Sequence, residues 1–175
     1  LGELPLLAEP LRRLDECESI DRIVVVAPPG WENQAILLAE EIGASKVSAC
    51  VTGGATRVDS VRAGVAEVPE DAAVVLVHDA ARPVLPDDVI PRLLEPLGRG
   101  WDGAVPGLPL TDTVKRVQRD AVVETLPRDE LWAVQTPQAF VAPVLRSALE
   151  GDVAAASDCA SLVEARGGRV AVVEG

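Results

Sequence analysis

Ile23-Val24-Val25-Val26-Ala27-Pro28-Pro29-Gly30 is the stretch on which the fold turns. Five apolar residues, four of them β-branched, run without polar alternation into two prolines and a glycine. A short run of that kind reads as a strand buried on both faces, as in a sheet covered by helices. Residues 31–42 follow with apolar side chains at helical spacing (Ile36, Leu37, Ala39, Ile42). Residues 46–51 then read as a strand, 60–68 as a helix and 74–77 as a third strand. Residues 87–97 read as another helix, interrupted early by Pro91. Strands alternating with helices across short turns predict an α/β fold with a mostly parallel sheet.

After Trp101 the rhythm changes. Residues 113–117 and 121–126 mix charges with β-branched residues around Gln118-Arg119-Asp120, a β-hairpin pattern. A lone two-stranded hairpin is marginal in water, so this one is expected to pack on something, a second subunit included. Helices are expected again at 142–150 and 157–165, and a last strand at 169–173. No repeat or linker interrupts the chain, and 175 residues fit one domain.

Nearly half of the residues are apolar, yet Trp31, Trp101, Trp132 and Phe140 are the only aromatics, so the core must be aliphatic. No apolar run is long enough to span a bilayer, and no secretory signal is visible. Cys17, Cys50 and Cys159 are odd in number and widely spaced, which fits neither a disulfide framework nor a zinc site. A reducing cytoplasm is the expected setting. The net charge of −12 opposes nonspecific nucleic-acid binding. It also means that any phosphate substrate must be met by local Arg or Lys groups, with a divalent cation expected to assist.

Four polar segments fall where ligands gather in such folds, beyond the carboxyl ends of strands. In Gly53-Gly54-Ala55-Thr56-Arg57-Val58-Asp59-Ser60 the paired glycines permit positive φ and close approach of a ligand, or simply form a turn with helix-capping residues. In His78-Asp79-Ala80-Ala81-Arg82-Pro83 an ionised Asp closing a buried strand needs a metal or an ion pair, for which Arg82 is at hand. His78, the sole histidine, reads as a neutral core residue rather than a catalytic base. The third and fourth segments are 110–115 and 127–140. They offer Arg128, which can grip a phosphate in a fork, and the hydroxyls of Thr113 and Thr136.

Taken in order, these segments resemble the 2-C-methyl-D-erythritol 4-phosphate cytidylyltransferases. The likeness lies in Gly-Gly-x-x-Arg-x-Asp-Ser-Val, His-Asp-Ala-Ala-Arg-Pro, Asp-Thr-(Val/Ile)-Lys and Arg-x-x-Leu-Trp-x-x-Gln-Thr-Pro-Gln-x-Phe. A fifth piece, residues 157–164, is similar to that family's Thr-Asp-(Asp/Glu)-Ala segment. The resemblance implies a Rossmann-like nucleotidyltransferase three-layer sandwich with a hairpin dimerisation arm at 112–128. It implies CMP transfer from CTP to methylerythritol phosphate, with Mg²⁺ and a homodimer. It places Gly53, Gly54 and Ser60 around cytosine, and Asp79 at the junction of nucleotide, acceptor and metal. Arg82, Thr113, Arg128, Thr136 and Ser157 would surround the sugar-alcohol phosphate, with Asp79, Arg82 and Arg128 as the catalytic set.

The family's Ala-Ala-Gly-x-Gly triphosphate loop and its Lys-Ile-Thr segment are not among the 175 residues. Weak CTP binding by this chain alone is therefore expected. Cys159 stands where the family has an acidic residue, and Ser157 where Thr is commoner. A ribitol-phosphate cytidylyltransferase and a noncatalytic nucleotide- or partner-binding homologue are the alternative readings.

Overall fold

The computed structural model describes residues 4–151 and 158–175. Ahead of the valine run lies α1 (Ala8–Glu16), a helix that the sequence pattern did not announce. The run itself is β1 (Ile23–Ala27), with Ile23, Val25 and Ala27 buried and the alternate valines half-buried. α2 (Glu32–Glu41), β2 (Val47–Thr52), α3 (Arg57–Ala66), β3 (Val74–Val77) and α4 (Val89–Gly98) follow. α4 is not interrupted by Pro91. That proline is its third residue, where a missing N–H costs nothing because first-turn donors have no partner inside the helix.

The second half comprises β4 (Gly103–Pro109), the hairpin strands β5 (Val114–Gln118) and β6 (Ala121–Leu126), and a 3₁₀ turn at Arg128–Glu130. β7 (Trp132–Val134), β8 (Gln138–Val141), α5 (Ala142–Leu149), α6 (Cys159–Ala165) and β9 (Val170–Glu174) complete the chain.

The α/β class expected from the sequence is the one observed, with more antiparallel pairing than the strand–helix alternation implied. β1 and β2 pair in parallel, as do β4 and β9. β8 lies antiparallel between β3 and β4, and β7 continues along β4 beyond it. β8 and β7 are short neighbours in the chain, separated by a bend at Gln135-Thr136-Pro137, so both can lie along one long strand. The hairpin β5–β6 forms its own sheet.

Side chains alternate across β4 and β8 and feed two separate cores. Ala104 and Ala139 join Leu11, Ile23, Val25, Ala35, Ile90 and Leu93, beneath α1, α2 and α4. Val105 and Phe140 join Val58, Val65, Val75, Leu145, Leu162 and Val163, beneath α3, α5 and α6. Helices therefore cover both faces, the three-layer arrangement. Phe140 is fully buried, whereas all three tryptophans stay exposed, so the core is aliphatic as composition required. Two arginines join α3 to α5 reciprocally: Arg62 donates to Leu149 O at 2.8 Å, and Arg146 donates to Val65 O at 3.1 Å and Val68 O at 2.8 Å. Both guanidiniums are committed to helix ends.

Candidate active site

The site is assembled from three chain segments at the carboxyl ends of β2 and β3 and the bend before β8. After β2, Gly53 N–H donates to Ala27 O at 2.8 Å, extending the β1–β2 pairing into the loop. Gly54 N–H donates to the Ser60 hydroxyl oxygen at 3.1 Å, and Ser60 donates onward to Thr56 O at 3.0 Å. Thr56 caps α3 in a reciprocal box with Asp59. Neither glycine has a positive φ; the segment is the turn with helix-capping residues that the sequence also allowed. What excludes other residues is space: a Cβ on Gly53 would lie 2.9 Å from Ser60 Oγ, and one on Gly54 only 2.2 Å from Asp59 Cβ.

Gly54→Ala should accordingly force Asp59 out of the cap. The expected loss is roughly 1–3 kcal/mol of stability, from the cap and from overpacking. Urea denaturation checks this, and an unchanged midpoint would refute it.

Arg57, the first residue of α3, spans the gap to β3. Its Nε and Nη2 donate to Asp79 Oδ1 at 3.2 and 3.1 Å, and its Nη1 approaches the Cys159 thiol at 3.8 Å. Burial opposes the Arg57 charge, but Asp79 outweighs it, and the guanidinium pKa is raised. Arg82 Nε stands 3.4 Å from Asp79 Oδ2, the ion pair anticipated from the sequence. Both carboxylate oxygens of Asp79 thus face guanidiniums. Burial pushes the Cys159 thiol up, so it stays protonated, with Arg57 opposing the shift.

The 78–82 loop is braced from within and from β8. Arg82 N–H closes a turn on Asp79 O at 2.9 Å. Asp79 N–H donates to the Thr136 hydroxyl at 3.1 Å. That hydroxyl lies 3.1 Å from His78 Nδ1, while His78 Nε2 lies 3.0 Å from Arg82 O. Burial lowers the His78 pKa, against the pull of its hydrogen bond to Arg82 O and of Asp79, so the imidazole is neutral, as expected from the sequence. Next to Thr136 and Pro137, Gln138 is 2% exposed. Its amide donates to Asp158 Oδ2 at 2.8 Å, tying β8 to the residue that caps α6.

Gly53, Gly54, Ser60, Asp79, Arg82 and Thr136 are therefore gathered within one chain. Arg128 and Thr113 are not joined to them: both are exposed, and Arg128 donates to Thr111 O at the base of the hairpin. Among the described residues no hydrogen bond or ion pair connects either to Asp79. Ser157 lies outside the described residues. Arg57 and Gln138 were not among the expected site residues. The signal for Arg57 was its place at the start of a helix that opens directly after the glycine pair.

The model of the family IspD: 2-C-methyl-D-erythritol 4-phosphate cytidylyltransferase matches residues 1–175. The chain belongs to that family. A 2-C-methyl-D-erythritol 4-phosphate cytidylyltransferase of Nocardia farcinica is 44% identical over 176 residues, covering all of this chain and 74% of the relative. A crystal structure of 4-diphosphocytidyl-2C-methyl-D-erythritol synthase superposes with a TM-score of 0.86 at 33% identity, covering all of this chain and 82% of that one. The bifunctional IspDF of Campylobacter jejuni matches with a TM-score of 0.80 at 26% identity, this chain covering 43% of it. The nucleotidyltransferase fold of the IspD family is thus the frame in which the Asp79 cluster sits.

Proposed function

We propose that this site transfers CMP from CTP to 2-C-methyl-D-erythritol 4-phosphate, releasing pyrophosphate, a step of non-mevalonate isoprenoid synthesis. The observation that carries the assignment of residues is the Asp79 carboxylate held between Arg57 and Arg82, with the Gly53-Gly54 turn opening the helix that supplies Arg57. Gly53, Gly54 and Ser60 form the nucleotide side. Arg82 and Thr136 stand on the acceptor side.

In the reaction a phosphate oxygen of the acceptor bonds to the α-phosphorus of CTP as the bond to the pyrophosphate oxygen breaks, and pyrophosphate departs with the electron pair. The attacking oxygen is already ionised near neutral pH, so no general base is needed. This agrees with a neutral, fully engaged His78. The work of the site is to position two polyanions and screen their repulsion. Among the described residues no group of three or more His, Cys, Asp or Glu side chains converges. Mg²⁺ commonly binds through one or two carboxylates plus substrate phosphates rather than in a protein cage. Asp79 would hold it, and the ion would add positive charge between the phosphates.

The exposed hairpin with Val117, Val122 and Val123 on its surface supports a homodimer in which Thr113 and Arg128 reach the partner's site. Three free cysteines are consistent with a cytoplasmic setting, and no described helix is long and apolar enough to cross a membrane.

The full-length protein should release pyrophosphate from CTP only with methylerythritol phosphate and Mg²⁺ both present. Equal turnover of ribitol phosphate would move the assignment to the neighbouring acceptor. No pyrophosphate with either alcohol would favour a noncatalytic nucleotide-binding role.

A further inference from the structure

We infer that His78 is a positioning residue, which through Thr136 locks the Asp79–Arg82 loop in its working shape; the inference rests on the reading of Asp79 and Arg82 as reacting-site groups. The hydrogen bonds admit one direction of travel. Arg82 O can only accept, so His78 Nε2, 3.0 Å away, carries the ring proton. Nδ1 of a neutral ring is then an acceptor, and the Thr136 hydroxyl at 3.1 Å donates to it. The Thr136 oxygen in turn accepts from Asp79 N–H at 3.1 Å. The chain runs from Asp79 N–H to Thr136, from Thr136 to His78, and from His78 to Arg82 O. It ties both ends of the turn that Arg82 N–H closes on Asp79 O.

Through these bonds Thr136 acts as a strut between β8 and the catalytic loop. Ala80 and Ala81, at the tip of the turn, are exposed, so the loop takes its shape from these bonds together with the Arg57 and Arg82 contacts of the Asp79 carboxylate. A loop that carries one carboxylate and one guanidinium into a phosphoryl-transfer site must hold them closely, because small misplacements of catalytic groups are costly in rate.

Two measurements test this in the full-length protein. The 175 residues hold one histidine, and a ¹⁵N-histidine spectrum compared with that of His78→Gln assigns its ring. At neutral pH Nε2 should be protonated and Nδ1 not; the opposite tautomer would overturn the inference whatever the enzyme does. In kinetics, His78→Ala should lower kcat/KM for the acceptor about ten- to a hundredfold, as expected when a part-buried chain of hydrogen bonds loses its central member, with the KM for CTP within about threefold. His78→Gln can restore the donor to Arg82 O, and His78→Asn the acceptor for Thr136; each should recover part of the loss. Pairing His78→Ala with Thr136→Val should cost little beyond the worse single change, because the two act as one unit.

Wild-type kinetics in His78→Ala would sink the inference and leave the cytidylyltransferase reading intact. So would a loss that tracks a smaller folded fraction in thermal unfolding, which lowers apparent kcat and leaves both KM values unchanged. Absence of activity in the wild-type protein would instead remove the functional reading and leave the tautomer test standing.

Discussion

Refolding Asp79→Ala and Arg128→Ala proteins together in equal amounts should restore about a quarter of wild-type activity, from two preparations that are each nearly inactive. Asp79 sits at the end of β3, fixed to α3 through Arg57. Arg128 begins the 3₁₀ turn after β6, exposed, and among the described residues its guanidinium is hydrogen-bonded only to Thr111 O of its own hairpin base. The hairpin is a separate two-stranded sheet with Val117, Val122 and Val123 more than half or about half exposed, at 56%, 60% and 50%. If each site of a twofold dimer combines Asp79 of one chain with Arg128 of the other, about half of randomly paired dimers are mixed. Each mixed dimer then has one site free of lesions out of two, which yields the expected quarter. Sites built within one chain would all keep a lesion, and mixing would restore nothing. A flat result with mixed dimers confirmed by mass would end the shared-site model.

Arg57→Ala should be the most damaging change among residues that the sequence did not single out. Two unit charges about 4 Å apart interact by roughly 4 kcal/mol at an effective dielectric of 20. The Arg57 and Asp79 side chains are 35% and 34% exposed, so solvent screening weakens their interaction. A discounted value of roughly 2 kcal/mol corresponds to about a thirtyfold fall in kcat/KM. Asp79 would keep only the longer contact to Arg82, a residue of its own turn. Arg57→Lys keeps the charge but not the pair of bonds to Oδ1, so an intermediate loss is expected. Steady-state kinetics with both substrates varied, beside a thermal-unfolding control, decide the matter. Arg57→Ala within threefold of wild type would show that Arg82 alone holds Asp79.

His78 and Arg57 mark the limit of what the residues disclose on their own. The alternation of strands and helices, the hairpin and the Asp79–Arg82 pair were all legible. Each depends on side chains a few positions apart: period-two or 3.6-residue spacing, a polar turn between β-branched runs, charges three residues apart. β4 was not legible, because Gly103, Pro106, Gly107 and Pro109 give it the composition of a loop. Its pairing with β9 on one edge and with β7 and β8 on the other makes it a strand. Glycine at position 54 is required by its packing against Asp59 and not by a positive φ, and the sequence showed only that a turn lies there.

By itself the sequence determined the α/β class, the two-sided burial of the sheet and the residues available for phosphate chemistry, since these follow from local spacing and residue type. Only the tertiary structure decided that β8 lies between β3 and β4, that Arg57 grips an Asp 22 residues away, and that His78 engages Thr136 across 58 residues. Those pairings come from how two aliphatic cores close on opposite faces of the sheet. Packing of that kind selects among many partners that local periodicity leaves equivalent.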